Sequence, residues 1–266
     1  MRIGFLIDMD GVIYRGSKPI EGAVDFITTL QERSIPYVFL TNNSGYTPVD
    51  IVLKLAKFGI QTTDEHVYTC AQATAEFVKR QNPTGKAFVI GEAGLYEALY
   101  NVNYAVVQND PDYVIVGEGR SYTAEILEKA QRFIQKGAHL ISTNLDTWCP
   151  TDAGPRPGCG AIVALLEAAT GKTAYHVGKP NPFIFRQARK KLKLSTEETV
   201  MIGDTMDTDI KGATDLDFKS VLVLTGSTTE AEVTAYPFKP THIVTSIADV
   251  LNLDIWPGLD ASAASC

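Results

Sequence analysis

Two aspartates stand two residues apart at the end of an apolar run, in Asp8-Met9-Asp10-Gly11-Val12. Carboxylates so spaced can share a divalent cation, and Gly11 lets the backbone turn sharply beside them. A carboxylate is also a competent nucleophile toward phosphorus, giving an acyl-phosphate that splits one hard displacement into two. Its neighbour can then act as acid toward the leaving group and as base toward water. A plain strand-end turn, where Asp and Gly are common, explains the same five residues.

Three further groups carry similar chemistry. Thr41, Asn42, Asn43 and Ser44 follow a second apolar run, and hydroxyl, amide and backbone N–H groups at a strand end suit phosphoryl oxygens. Their plain alternative is the cap of the helix that begins at Pro48. Gly178-Lys179-Pro180-Asn181-Pro182 places a lysine directly after a third run. Asn181 and Pro182 suit a helix start. Capping leaves the lysine unexplained, which favours a point charge for phosphate or for the nucleophile. Gly203-Asp204-Thr205-Met206-Asp207-Thr208-Asp209 follows a fourth run. Magnesium binds through one or two carboxylates and keeps water and substrate oxygens as its other ligands. Asp204 can supply one ligand, and Asp209 can orient metal-bound water or Lys179. A cap at Asp207 or Thr208 accounts for one of the three acids only. Each group alone has an innocent explanation. All four in this order do not.

The elements that must position these groups alternate. Short β-branched runs at 3–8, 37–42, 87–91, 113–117, 139–143, 174–178, 200–204 and 220–224 predict strands. Amphipathic segments at 21–33, 48–58, 124–136, 182–192 and 208–216 predict helices. Such alternation argues for βαβ units and a doubly wound parallel sheet covered on both faces. Four strands run directly into polar residues, and carboxyl ends of parallel strands are where doubly wound folds place their ligand crevice. Turn-rich stretches at 82–85 and 169–172 are candidate hinges, and the small polar tail at 260–266 is expected to fray.

The bulk numbers exclude several classes. With 266 residues, 45% hydrophobic and 21% charged, the chain has the balance of a folded globular protein. A net charge of -7 gives no broad footprint for a nucleic-acid polymer or a membrane surface. The N-terminal apolar run is cut off by Asp8, too short for an export signal, and no stretch has the length of a membrane span. The four cysteines show no metal or disulfide-framework spacing. Together these point to the cytoplasm. No glycine-rich loop of the Walker or dinucleotide type is present, so neither ATP nor NAD is expected as a cofactor.

The four groups resemble the motifs of the haloacid dehalogenase superfamily, as Asp8-Met-Asp10-Gly, Thr41-Asn42, Gly-Lys179-Pro and Gly-Asp204-Thr-Met-Asp207-Thr-Asp209. The likeness runs from residue 3 to about 251. It implies a Rossmann-like α/β core, at 1–82 and 175–266, with an inserted α/β cap of type IIA at 83–174. Stretches in that insert, at 112–118 and 143–146, are similar to the NagD-like branch, the ribonucleotide monophosphatases. The resemblance implies Asp8 as nucleophile and Asp10 as acid and base. It implies magnesium held by the Asp8 carboxylate, the Asp10 main-chain carbonyl and Asp204, with Asp209 in support. Thr41, Asn42, Asn43 and Lys179 would hold the phosphoryl group. Asn144, Asp146, Trp148 and Cys149 resemble the cap's specificity loop: Trp148 offers a stacking face or a loop anchor, and Cys149 is expected to pack. Glu118, Arg120 and Tyr122 either face the cleft or form a solvated loop.

The implied substrate is a small phosphorylated metabolite, first a ribonucleoside 5′-monophosphate such as UMP or GMP, then phosphoglycolate, pyridoxal phosphate or sugar phosphates. Relatives often pair through their caps, which leaves a homodimer as one outcome. A phosphotransferase needs the same acid and base. A receiver-type phospho-accepting module is much shorter and lacks an acid two residues after its acceptor, so Asp10 argues against it.

Overall fold

The computed structural model describes residues 2–149 and 154–256, so the tail at 260–266 lies outside the described residues. The first strands are β1 (Gly4–Ile7), β2 (Tyr37–Thr41), β3 (Val67–Thr69), β4 (Lys86–Ile90), β5 (Ala105–Val106) and β6 (Tyr113–Val116). Then come β7 (His139–Ser142), β8 (Tyr175–His176), β9 (Thr199–Gly203), β10 (Lys219–Val223) and β11 (His242–Val244). The main helices are α1 (Ala23–Glu32), α2 (Pro48–Lys57), α3 (Cys70–Gln81), α4 (Ala93–Asn101), α5 (Ala124–Gln135), α6 (Cys159–Thr170) and α7 (Pro182–Leu192). No helix among the described residues is long and apolar enough to cross a membrane. Two compact units divide the chain: Met1–Phe39 with Phe58–Ile60 and Ala188–Cys266, and Leu40–Lys57 with Gln61–Gln187. The boundary falls inside β2 and α7, and the segment expected as the cap, 83–174, lies within the second unit.

In the first unit, parallel strands run in the order β11-β10-β9-β1-β2. The chain leaves β1 toward β2 and later returns on β1's other side as β9, so the strand order reverses at β1, where such sheets open a crevice. Every residue of β1 and β9 is buried, which is why both read as unbroken apolar runs. Their register pairs Ile7 with Ile202. It therefore brings the carboxyl ends of the two strands to the same level. The ring of Phe5 meets Phe26 of α1 and Trp256 at centroid separations of 5.9 and 5.3 Å, anchoring that helix on the sheet.

The second unit holds a parallel sheet in the order β8-β7-β6-β4-β5. Phe88, Ile90, Val114, Val116 and Leu140 from its strands pack with Ala130 and Ile134 of α5 and with Val163 and Leu166 of α6. Parallel sheets covered by helices make the fold α/β, as the alternation predicts.

Strand boundaries match the sequence reading within a residue or two, with instructive exceptions. The run at 174–178 narrows to the two-residue edge strand β8, and β3, β5 and β11 were not predicted. All are two or three residues long, too short for alternation to register. The predicted helix at 208–216 is instead a π-turn, Met206–Ile210, followed by a short α-helix, Lys211–Thr214. The wide turn lets Asp209 fold back, its Oδ2 accepting from the Thr205 N–H at 3.3 Å.

Candidate active site

Asp8 follows β1 directly and is only 7% exposed, and Asp204 follows β9 and is 3% exposed. Asp209 is fully enclosed at 1%. One carboxylate oxygen from each of Asp8, Asp204 and Asp209 lies within 4.8 Å of the others. Three buried carboxylates that close repel one another at low dielectric, and a divalent cation offsets that repulsion. Hard oxygen donors of this kind suit magnesium. A Cβ added to Gly11 would sit 2.6 Å from Asp204 Oδ2, so the glycine keeps the cradle open. The residues fit the metal that the sequence implies. Asp10 is placed differently: it is exposed, and its Oδ2 accepts from the Tyr14 hydroxyl at 3.2 Å. The turn behind it is closed by Gly11 N–H donating to Tyr14 O at 2.8 Å.

Sequence reasoning missed the segment after β10, Thr225-Gly226-Ser227-Thr228. Ser227 N–H donates to Asp204 Oδ2 at 2.5 Å, and Thr228 N–H donates to the Asp204 carbonyl at 3.1 Å. Thr225 Oγ1 donates to the Gly11 carbonyl at 2.6 Å. The signal was available, because a buried strand running into Thr-Gly-Ser is the same pattern that singled out the other four.

The second unit gathers the remaining core candidates. Asn42 holds Lys179 through both ends of its amide: Lys179 N–H donates to Asn42 Oδ1 at 2.8 Å, and Asn42 Nδ2 donates to Lys179 O at 3.3 Å. A Cβ on Gly178 would come within 2.7 Å of Asn42 Oδ1, so this pairing depends on glycine there. Thr41 and Lys179 are 4% and 3% exposed. Asn43 N–H donates to Thr41 Oγ1 at 3.1 Å. The Asn43 side chain accepts from Gly45 and Tyr46 N–H groups through Oδ1 and donates to Glu118 through Nδ2 at 3.2 Å. The amides of Asn42 and Asn43 thus shape the loop.

Glu118, in the loop after β6, is not solvated. It is 7% exposed, with Arg156 Nη2 3.2 Å from its Oε2. Arg156 also donates to Gly119 O at 3.0 Å. This arginine belongs to a short hairpin, Arg156–Pro157 paired with Trp148–Cys149. Asn144 is buried, donating to Asn42 O at 2.7 Å and accepting from Asp146 N–H at 3.0 Å. Asp146 is half-buried, and Trp148 stays 59% exposed. Cys149 is half-buried, and burial pushes its thiol up to about 12, with Glu118 adding to the rise. Arg120 is exposed and Tyr122 half-buried. Cys70, Cys149 and Cys159 are all free thiols.

Known proteins place this arrangement. Residues 5–105 match the haloacid dehalogenase-like hydrolase family, and residues 176–250 match a HAD-hydrolase-like family. The chain is 40% identical over 256 residues to the dihydroxyacetone phosphatase of Corynebacterium glutamicum (strain R), covering 96% of this chain and 92% of that one. It is 38% identical over 246 residues to the 5′-nucleotidase YutF of Bacillus subtilis (strain 168), at 92% and 96% coverage. The structure of NagD from Escherichia coli K-12 matches with a TM-score of 0.88 at 36% identity, covering 94% of this chain and 98% of that one. This chain belongs to the haloacid dehalogenase-like hydrolases, in their NagD-like branch. Its activity is that of a phosphatase.

Proposed function

We propose that this phosphatase hydrolyses a ribonucleoside 5′-monophosphate such as UMP or GMP through an aspartyl-phosphate on Asp8, with magnesium as its metal. The observation that carries the mechanism is the buried cluster of Asp8, Asp204 and Asp209 at the carboxyl ends of β1 and β9. An Asp8 carboxylate oxygen attacks phosphorus while the bond from phosphorus to the ester oxygen breaks, and Asp10 gives its proton to the departing alkoxide. Asp10, now a carboxylate, takes a proton from water as that water attacks phosphorus, releasing orthophosphate and restoring Asp8. Magnesium, when bound by Asp8, Asp204 and Asp209 with the Asp10 carbonyl, supplies positive charge against the phosphoryl oxygens. Thr41 and Lys179 hold those oxygens in this reading. Asn42 and Asn43 act one step back, Asn42 on the Lys179 backbone and Asn43 on Thr41 and the loop.

The exposed Trp148 supports a nucleotide, since an indole face can stack on a base. Its hairpin is tied through Arg156 and Glu118 to Asn43. A second reading, a triose or sugar phosphate, is favoured by the 40% identity to a dihydroxyacetone phosphatase. Phosphate release with magnesium, across UMP, GMP, AMP, dihydroxyacetone phosphate, phosphoglycolate, pyridoxal phosphate and sugar phosphates, decides between them. Asp8→Asn serves as the blank. Highest kcat/KM on UMP or GMP supports the first reading, and highest kcat/KM on the triose or sugar phosphates replaces it with the second.

A further inference from the structure

We infer that the segment from Thr225 to Ser227, held by Arg15, is a clamp that sets the Asp204 carboxylate in place as a cation ligand. The inference rests on the magnesium reading of the three-aspartate cluster and adds residues outside the four motifs. Asp204 Oδ2 accepts from Ser227 N–H at 2.5 Å, and its Oδ1 accepts from the Thr205 hydroxyl at 3.1 Å. Both oxygens are thereby oriented, and the carboxylate cannot rotate without breaking a bond. Gly226 lies flat against it: a Cβ there would overlap Asp204 Oδ2, Cβ and Cγ. The clash is with the short side chain of a buried aspartate, which has no flexible end to yield. Only glycine lets the segment approach this closely.

The clamp is itself fastened at two points. Thr225 Oγ1 donates to the carbonyl of Gly11, on the turn that carries Asp10. Arg15 Nη2 donates to the Thr225 carbonyl and reaches the Gly226 carbonyl at 3.4 Å. Arg15 sits on the two-strand ribbon of Tyr14–Arg15 and Lys18–Pro19. A charged donor on two consecutive carbonyls fixes the peptide whose next N–H serves Asp204. Hydrogen bonds behind a metal ligand fix its orientation, and their loss typically lowers metal affinity about 10- to 100-fold. Arg15, Thr225 and Gly226 are positioning residues on this account.

The test is magnesium binding to metal-free protein by titration calorimetry, for the wild type, Asp204→Asn, Gly226→Ala, Arg15→Met, Arg15→Lys and Thr225→Val. Metal-free thermal unfolding is recorded for each. Gly226→Ala is expected to raise the magnesium Kd about tenfold or more. Arg15→Met is expected to raise it severalfold, and Arg15→Lys to recover part of the loss. The magnesium concentration for half-maximal phosphate release should move with Kd, while kcat at saturating magnesium in Arg15→Met stays near the wild-type value. A merely structural residue would lower metal-free stability without that split. If Gly226→Ala does not fold, Arg15→Met and Thr225→Val carry the decision. Magnesium binding that Asp204→Asn abolishes but the clamp variants leave within twofold of wild type overturns the clamp and keeps the metal reading. No binding by the wild type overturns both.

Discussion

Asp8 and Asp10 differ by two positions in sequence and by environment in the fold. Asp8 is buried among carboxylates, and Asp10 is exposed and bonded to the Tyr14 hydroxyl. A nucleophile needs to be held, whereas an acid and base needs to exchange protons with water, so the two burials suit two roles. Asp10→Asn is expected to lower kcat about 10²- to 10⁴-fold while magnesium binding persists, since the variant keeps its main-chain carbonyl. Parallel rate and calorimetric measurements check this; loss of metal binding would count against the assignment. Cys149 yields a different expectation. Its thiol is raised from 9.0 to about 12 by burial, then by Glu118, with Arg156 opposing and Asp146 adding a smaller rise. A raised thiol pKa means less thiolate at any pH below it. Cys149 in the folded protein should therefore carry on the order of a thousandfold less thiolate at pH 8 than an unperturbed thiol, and react with iodoacetamide correspondingly slowly. Peptide mapping of the labelled protein measures that rate, and rapid labelling at pH 8 would contradict the buried environment.

At the scale of elements, the loops after strands do the positioning and caps set where helices begin. Asn181 Oδ1 accepts from Phe183 N–H at 2.8 Å at the start of α7, and Asn181 Nδ2 donates to His176 O. The sequence assigned Asn181 to this cap. Asn181→Ala should lower stability by about 1 kcal/mol, read as a shift in urea midpoint with an unchanged slope; no shift would show that the cap is dispensable. The π-turn at Met206–Ile210, in which the Asp209 carboxylate folds back onto the Thr205 N–H beside Gly203, was not legible. Periodicity reports the face a helix buries and says nothing of one extra residue in a turn.

At the scale of the whole molecule, the consequence of three clustered carboxylates is linkage between metal and folding. A cation that binds the folded chain alone stabilises it by RT ln(1 + [L]/Kd), about 2.7 kcal/mol at a hundredfold excess over Kd. Thermal unfolding should rise with magnesium and fall on chelation, and phosphate release should vanish with chelation and return on magnesium addition. The same midpoint with and without magnesium would argue that the cluster holds no such ion. Asp204→Asn should flatten the dependence.

What the sequence determined by itself was the set of candidate groups and the class of fold. Strand-end acids, a strand-end lysine and βα alternation are local patterns, written within five to ten consecutive residues, and they survive any packing that keeps the strands parallel. Tertiary structure decided which of those groups meet and what each side chain touches. The Ile7–Ile202 register brings together two strand ends that stand far apart in the chain, and Asp8 joins Asp204 and Asp209 as a result. Asn42 reads locally as a phosphate ligand, yet its amide closes on the backbone of Lys179, 137 residues away. Gly226 looks like any turn glycine until the carboxylate of Asp204 is seen against it. Partners of this kind are chosen by long-range packing, which leaves no period in the sequence to read.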